Sequence, residues 1–105
     1  MIELTFNDYD TSVSQFRLPT ADTPYVVLGL IGELGELYGS WAKSIRDGTE
    51  LDHKEVMKEL GDILWFLNAL CRDLDTDLEQ VALMNIDKLT KRSVAGTLQG
   101  SGDNR

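Results

Sequence analysis

Zinc chemistry and disulfides are the first things this sequence leaves out. Its single cysteine, Cys71, has no second thiol to pair with, and its single histidine, His53, stands in no Cys/His cluster of zinc-ligand spacing. Cys71 lies in an apolar run with Leu67, Leu70 and Leu74 and reads as core. No apolar run is long enough to cross a membrane, and no basic, then apolar, signal peptide opens the chain. The expectation is a cytoplasmic protein with no membrane partner. Cations are few: 10 Lys and Arg stand against 18 Asp and Glu, a formal net charge of −8. A non-specific grip on nucleic-acid backbone needs clustered cations, so no nucleic-acid partner is expected. An acidic protein still takes phosphates when metal ions intervene. The period-two alternation of a strand is missing as well.

What remains is helical periodicity. Phe6, Tyr9, Val13 and Phe16 recur at helical spacing and predict a short first helix that ends before Pro19. Thr23 followed by Pro24 predicts the start of a second, with the threonine as cap, running to a glycine stop at Asp47-Gly48. Asp52-His53-Lys54-Glu55 fits a capping box that opens a third helix through Asp73, and Thr76-Asp77-Leu78-Glu79 repeats the device for a fourth. Short connections between amphipathic helices favour antiparallel neighbours. The expected fold is all-α, an up-and-down bundle of about four helices in one domain over residues 1–95, with a Gly-rich tail over 96–105. A lone domain of 105 residues buries only part of its unfolded surface, so self-association would add core.

Two acidic pairs carry the chemistry. Glu33 and Glu36 are three residues apart on the second helix and share a face, as Glu59 and Asp62 do on the third. Glu55, Glu59, Asp62 and Phe66 form one stripe beside the apolar arc of Val56, Leu60, Ile63, Leu64, Leu67 and Leu70. Packed antiparallel, the two helices can turn both pairs into one cleft. Four negative charges so placed repel one another unless some carboxyls keep protons or hard cations such as Mg²⁺ or Mn²⁺ bind them, and two divalent ions balance four charges. Neither Glu33 nor Glu36 has a Lys or Arg four residues on to neutralise it. Glycines at 29, 32, 35 and 39 each cost roughly 1 kcal/mol relative to alanine inside a helix, a cost that close helix approach or ligand access would explain.

The segments Gly32-Glu33-Leu34-Gly35-Glu36-Leu37 and Lys58-Glu59-Leu60-Gly61-Asp62-Ile63-Leu64-Trp65-Phe66, with 22 residues between Glu36 and Glu59, resemble the two-part motif of the MazG family of nucleoside triphosphate pyrophosphohydrolases. The resemblance runs from about Leu28 to the C-terminus. It implies an all-α dimer or dimer of dimers, with two or more Mg²⁺ (or Mn²⁺) held by Glu33, Glu36, Glu59 and Asp62. It also implies hydrolysis of a nucleoside triphosphate to monophosphate and pyrophosphate. Such metals neutralise the triphosphate, orient its α-phosphorus and acidify an attacking water, with Glu33 or Glu36 accepting the proton.

Around the acids, Asn85 is expected to face packed surface with Leu78, Val81, Ala82 and Leu89, and Lys88 and Arg92 extend its stripe. An amide, an ammonium and a guanidinium suit sugar or phosphate oxygens, and similar Asn and Lys positions help hold nucleotide in MazG-like proteins. Lys43 falls close to the acidic face as a further phosphate candidate. Phe66 is the aromatic placed to stack on a base, because it alone extends the Glu59 and Asp62 stripe. The tail resembles the end of small stand-alone, often phage-encoded members. Among those, MazZ-type proteins act on guanine triphosphates, so dGTP or GTP is the first substrate expectation, in a host cytoplasm if the chain is phage-encoded. Alternatives are a house-cleaning hydrolase of non-standard nucleotides and a non-catalytic acidic helical interaction module. A di-iron bundle fits poorly, since such sites usually include Glu-x-x-His pairs and His53 stands at a helix start.

Overall fold

Each helix begins where a side chain can accept the backbone N–H groups that a first turn leaves unpaired. The computed structural model describes residues 3–103, with helices α1 (Phe6–Ser14), α2 (Thr23–Asp47), α3 (His53–Asp73) and α4 (Leu78–Ala95). The fold is all-α, as expected. Thr5 opens α1 with a reciprocal capping box, its Oγ1 accepting from Asp8 N at 3.0 Å while Thr5 N donates to Asp8 at 3.1 Å. Asp52 caps α3 by accepting from Lys54 N and Glu55 N. Gly48 and Gly96 end α2 and α4 in the left-handed conformation that glycine adopts at little cost.

Two caps fall one residue earlier or later than the sequence suggests. Asp22, not Thr23, caps α2, accepting from Tyr25 N at 3.0 Å. Thr23 is instead the first helical residue, and its hydroxyl donates to Asp73 at 2.8 Å. Asp77, not Thr76, caps α4 by accepting from Gln80 N at 2.8 Å.

The Thr23–Asp73 bond joins the start of α2 to the end of α3, so the two long helices run antiparallel and pack along their lengths. Arg17 locks the same end: its guanidinium grips Asp73 with two bonds of 2.8 and 2.9 Å and also reaches the Ala21 carbonyl. A second cluster ties α1 to α3, where Asp10 accepts from Asn68 Nδ2 and from Arg72, both at 2.9 Å. The Arg72 guanidinium holds the Asp10 carboxyl below its usual range, and the Arg17 guanidinium does the same for Asp73. Beneath these ties lie Ala21, Val26, Ala69, Cys71 and Leu78, all buried. Cys71 is core as expected, and burial raises its thiol pKa. No helix among the described residues is long and apolar enough to cross a membrane.

Candidate metal and phosphate site

The α2–α3 pairing reads as a ladder. On α2, Gly29, Glu33, Glu36, Ser40 and Lys43 follow steps of four and three residues and so occupy one face. On α3, Glu55, Glu59, Asp62 and Phe66 do likewise. Phe66 packs against Gly29, where even a single added Cβ would overlap its ring. Glu33 and Asp62 line a common hollow with Trp65 and Phe66. Ser40 donates its hydroxyl to Glu59 Oε1 at 3.2 Å. Lys43 and Glu55 line one hollow at the loop end with Ser40. Both acidic pairs therefore fall in the interior of the ladder, between the Phe66 rung and the Lys43 rung.

The charges behave as this crowding requires. Glu33 is half-buried, and its carboxyl is held above the ordinary glutamate range. Burial contributes most, followed by the charges of Glu36 and Asp62, a hydrogen bond with Glu36, and the charge of Glu59. Glu33 Oε2 and Glu59 Oε2 are both buried without a hydrogen-bond partner. Buried carboxylate oxygens that no donor satisfies are costly, and a hard cation is the natural complement to such a set of oxygens. The donor chemistry thus fits a divalent metal. Among the described residues, no three His, Cys, Asp or Glu side chains are already gathered into a metal cage. Glu36 and Asp62 are exposed, so their side chains have room to move inward.

Two aromatic residues, Trp65 and Phe66, stand beside the acids. Phe66 meets Trp65 edge-on at 5.1 Å between centroids and Tyr25 at 6.2 Å. Phe66 and Trp65 bound a hollow of about 360 Å³ with Glu33 and Asp62, so Phe66 lies beside the carboxylates as its stripe suggested. Ser40 and Tyr9 belong to this neighbourhood as well, although the sequence points to neither as a site residue. Ser40 is four residues beyond Glu36 on the same face, so extending that stripe would have found it. Tyr9 comes from α1, and burial together with the Asp62 charge raises its pKa, leaving a phenol that can donate. No spacing rule announces a contact between separate helices.

Asn85, Lys88 and Arg92 occupy a different part of the surface. Asn85 is exposed rather than turned to packed surface, and with Lys88, Val81, Met84 and Asp87 it lines a hollow of about 470 Å³ on α4. Lys88 and Arg92 pair with Asp103 of the tail, at 3.1 and 3.2 Å. None of the bonds found for these three side chains among the described residues reaches the four carboxylates.

The description "MazG nucleotide pyrophosphohydrolase domain" matches residues 24–95, a span that holds both acidic pairs and the α4 cations. The chain is also 40% identical over 85 residues to the Gene 37 protein of Mycobacterium phage L5, an alignment covering 77% of this chain and 75% of that one. No solved structure matches.

Proposed function

The chain belongs to the MazG nucleotide pyrophosphohydrolase family, and from that premise we propose that it is a divalent-metal-dependent nucleoside triphosphate pyrophosphohydrolase working through Glu33, Glu36, Glu59 and Asp62. The observation that carries this reading is the pair of buried, unpartnered oxygens, Glu33 Oε2 and Glu59 Oε2, on facing helices. Merely solvated acids, as in a non-catalytic interaction module, have water for a partner.

Glu33, Glu36, Glu59 and Asp62 would hold Mg²⁺ or Mn²⁺, which when bound supplies the positive charge that offsets the triphosphate and makes water more acidic. The chain's own residues do the rest. Ser40 fixes Glu59 by bonding one of its oxygens, so the other is presented in a defined direction. Phe66, seated on Gly29 and braced by Trp65, offers a face beside the acids on which a base can stack. Glu33 or Glu36 would accept the proton of the attacking water, since both carboxylates stand on the face of α2 turned to α3. Lys88 and Arg92 steady the outer phosphates, and attack then falls on the α-phosphorus. No covalent intermediate is needed.

The outward face of α2 supports self-association as dimer or tetramer. Leu28, Ile31, Leu34, Tyr38, Trp41 and Ile45 are all exposed, whereas the acidic face of the same helix is turned to α3. A second copy would cover that apolar face and bring α4 cations to a neighbouring acidic ladder. Guanine triphosphates are our first proposal for the substrate and non-standard nucleotides the second. Incubation with each NTP and dNTP plus Mg²⁺ ranks them.

Hydrolysis in ¹⁸O-water, followed by mass spectrometry, tests the cleavage point. The label is expected in the monophosphate with unlabelled pyrophosphate. Release of a nucleoside diphosphate and orthophosphate would refute the proposal.

A further inference from the structure

Beyond α4 the tail turns back on its own helix. Gly100 (φ 123°) and Gly102 (φ 85°) take backbone angles that side chains resist, and with them the chain returns Asp103 to α4. Its carboxylate accepts from Lys88 Nζ at 3.1 Å and from Arg92 Nη2 at 3.2 Å, and the same arginine nitrogen donates to the Gly102 carbonyl at 3.2 Å. Arg92 is only 6% exposed, an unusual position for a guanidinium, and its Nε has no hydrogen-bond partner. A buried cation with a donor to spare is thus covered by one carboxylate, and that carboxylate's side chain is 81% exposed.

We propose that Asp103 is a built-in competitor for substrate phosphate, its carboxylate occupying the Lys88–Arg92 cation pair until a polyphosphate displaces it. The inference rests on the reading of Lys88 and Arg92 as phosphate ligands. The exchange is chemically matched. A carboxylate and a phosphate present the same anionic oxygens to guanidinium and ammonium, but a polyphosphate brings more charge and more acceptors, enough to satisfy Nε as well. Ion pairs to an exposed carboxylate are weak, so the tail yields readily. Protonation does not open it near neutral pH, because Lys88 and Arg92 hold the Asp103 carboxyl below its usual range. The tail therefore responds to a competing anion rather than to acid.

Calorimetric titration of the full chain with inorganic tripolyphosphate, in the absence of divalent metal, tests this. Asp103→Asn is expected to tighten binding about two- to fivefold, the worth of an exposed ion pair. Gly102→Ala is expected to act in the same direction. It keeps every charge, and its added Cβ meets no atom within 4 Å, but it strains the φ of 85° that aims Asp103. Lys88→Ala is expected to weaken binding. If Lys88→Ala weakens binding while both tail variants match the wild type, the competitor is overturned and the phosphate reading stands. If Lys88→Ala changes nothing, the phosphate reading fails and takes the competitor with it.

Discussion

Glu33 is held as an acid more readily protonated than glutamate in water, and this has a thermodynamic signature apart from turnover. A folded chain that binds this proton more tightly than the unfolded chain gains stability as pH falls from the raised pKa toward the ordinary value of about 4.3. Asp10 and Asp73 act in the opposite sense: their lowered pKa values stabilise the fold above the ordinary value of about 3.9, and that contribution is lost as pH falls through the folded values. In metal-free protein, Glu33→Gln is therefore expected to raise Tm near neutral pH, and Mg²⁺ to raise the Tm of wild type but not of the variant. A metal-free variant that melts below wild type would count against a repelling cluster. Glu36→Gln and Asp62→Asn, both at exposed positions, are expected to abolish turnover while far-ultraviolet circular dichroism stays helical. Full activity in both would remove these carboxylates from the site.

At the scale of the helix, the glycines of α2 separate into two kinds. Gly29 is needed by its neighbour, since a Cβ there overlaps the Phe66 ring, and Gly29→Ala is expected to cost about 1–3 kcal/mol through overpacking, read by urea denaturation. Gly32 faces open space in the isolated chain, so Gly32→Ala is expected to stabilise the helix by up to about 1 kcal/mol. If it instead costs stability, a second copy of the chain approaches there. The sequence could show that α2 tolerates four glycines but not which of them touches anything. The same division runs through the fold. Helix number, the two long helices and the shared face of both acidic pairs follow from periodicity, which is a property of one helix at a time. Caps slipped by one residue at Thr23 and Thr76, because an aspartate stands beside each and a distant contact chooses between them: the Thr23 hydroxyl goes to Asp73. Asn85 was expected against packed surface because its face carries Leu78 and Ala82, yet at Asn85 itself α4 meets solvent. Tail contacts to Lys88 and Arg92 depend on glycine angles that no spacing reveals.

For the whole molecule, size and burial point the same way. A compact domain of this length has a radius of gyration of about 13 Å, whereas this chain measures 16.8 Å. Its exposed residues include Leu28, Tyr38, Ile45 and Met84, each more than two-thirds accessible, a large apolar surface for a lone chain. The expected state at micromolar concentration is a dimer or tetramer by multi-angle light scattering, with a Tm that rises with protein concentration. A concentration-independent monomer would contradict the assembly. The ladder between α2 and α3 also governs which changes of length the molecule can survive. A residue added in the connection over 48–52 leaves both rows of side chains intact. One residue inserted in α2 between Glu36 and Asp47 rotates everything before it by about 100°, turning Glu33 away from Asp62 and Phe66 off Gly29 together. Seven inserted residues nearly restore the facing but slide the rows past each other by about 10 Å. Insertions and deletions should therefore accumulate in the connection, and the helical stretches on either side of it should keep a fixed count of residues.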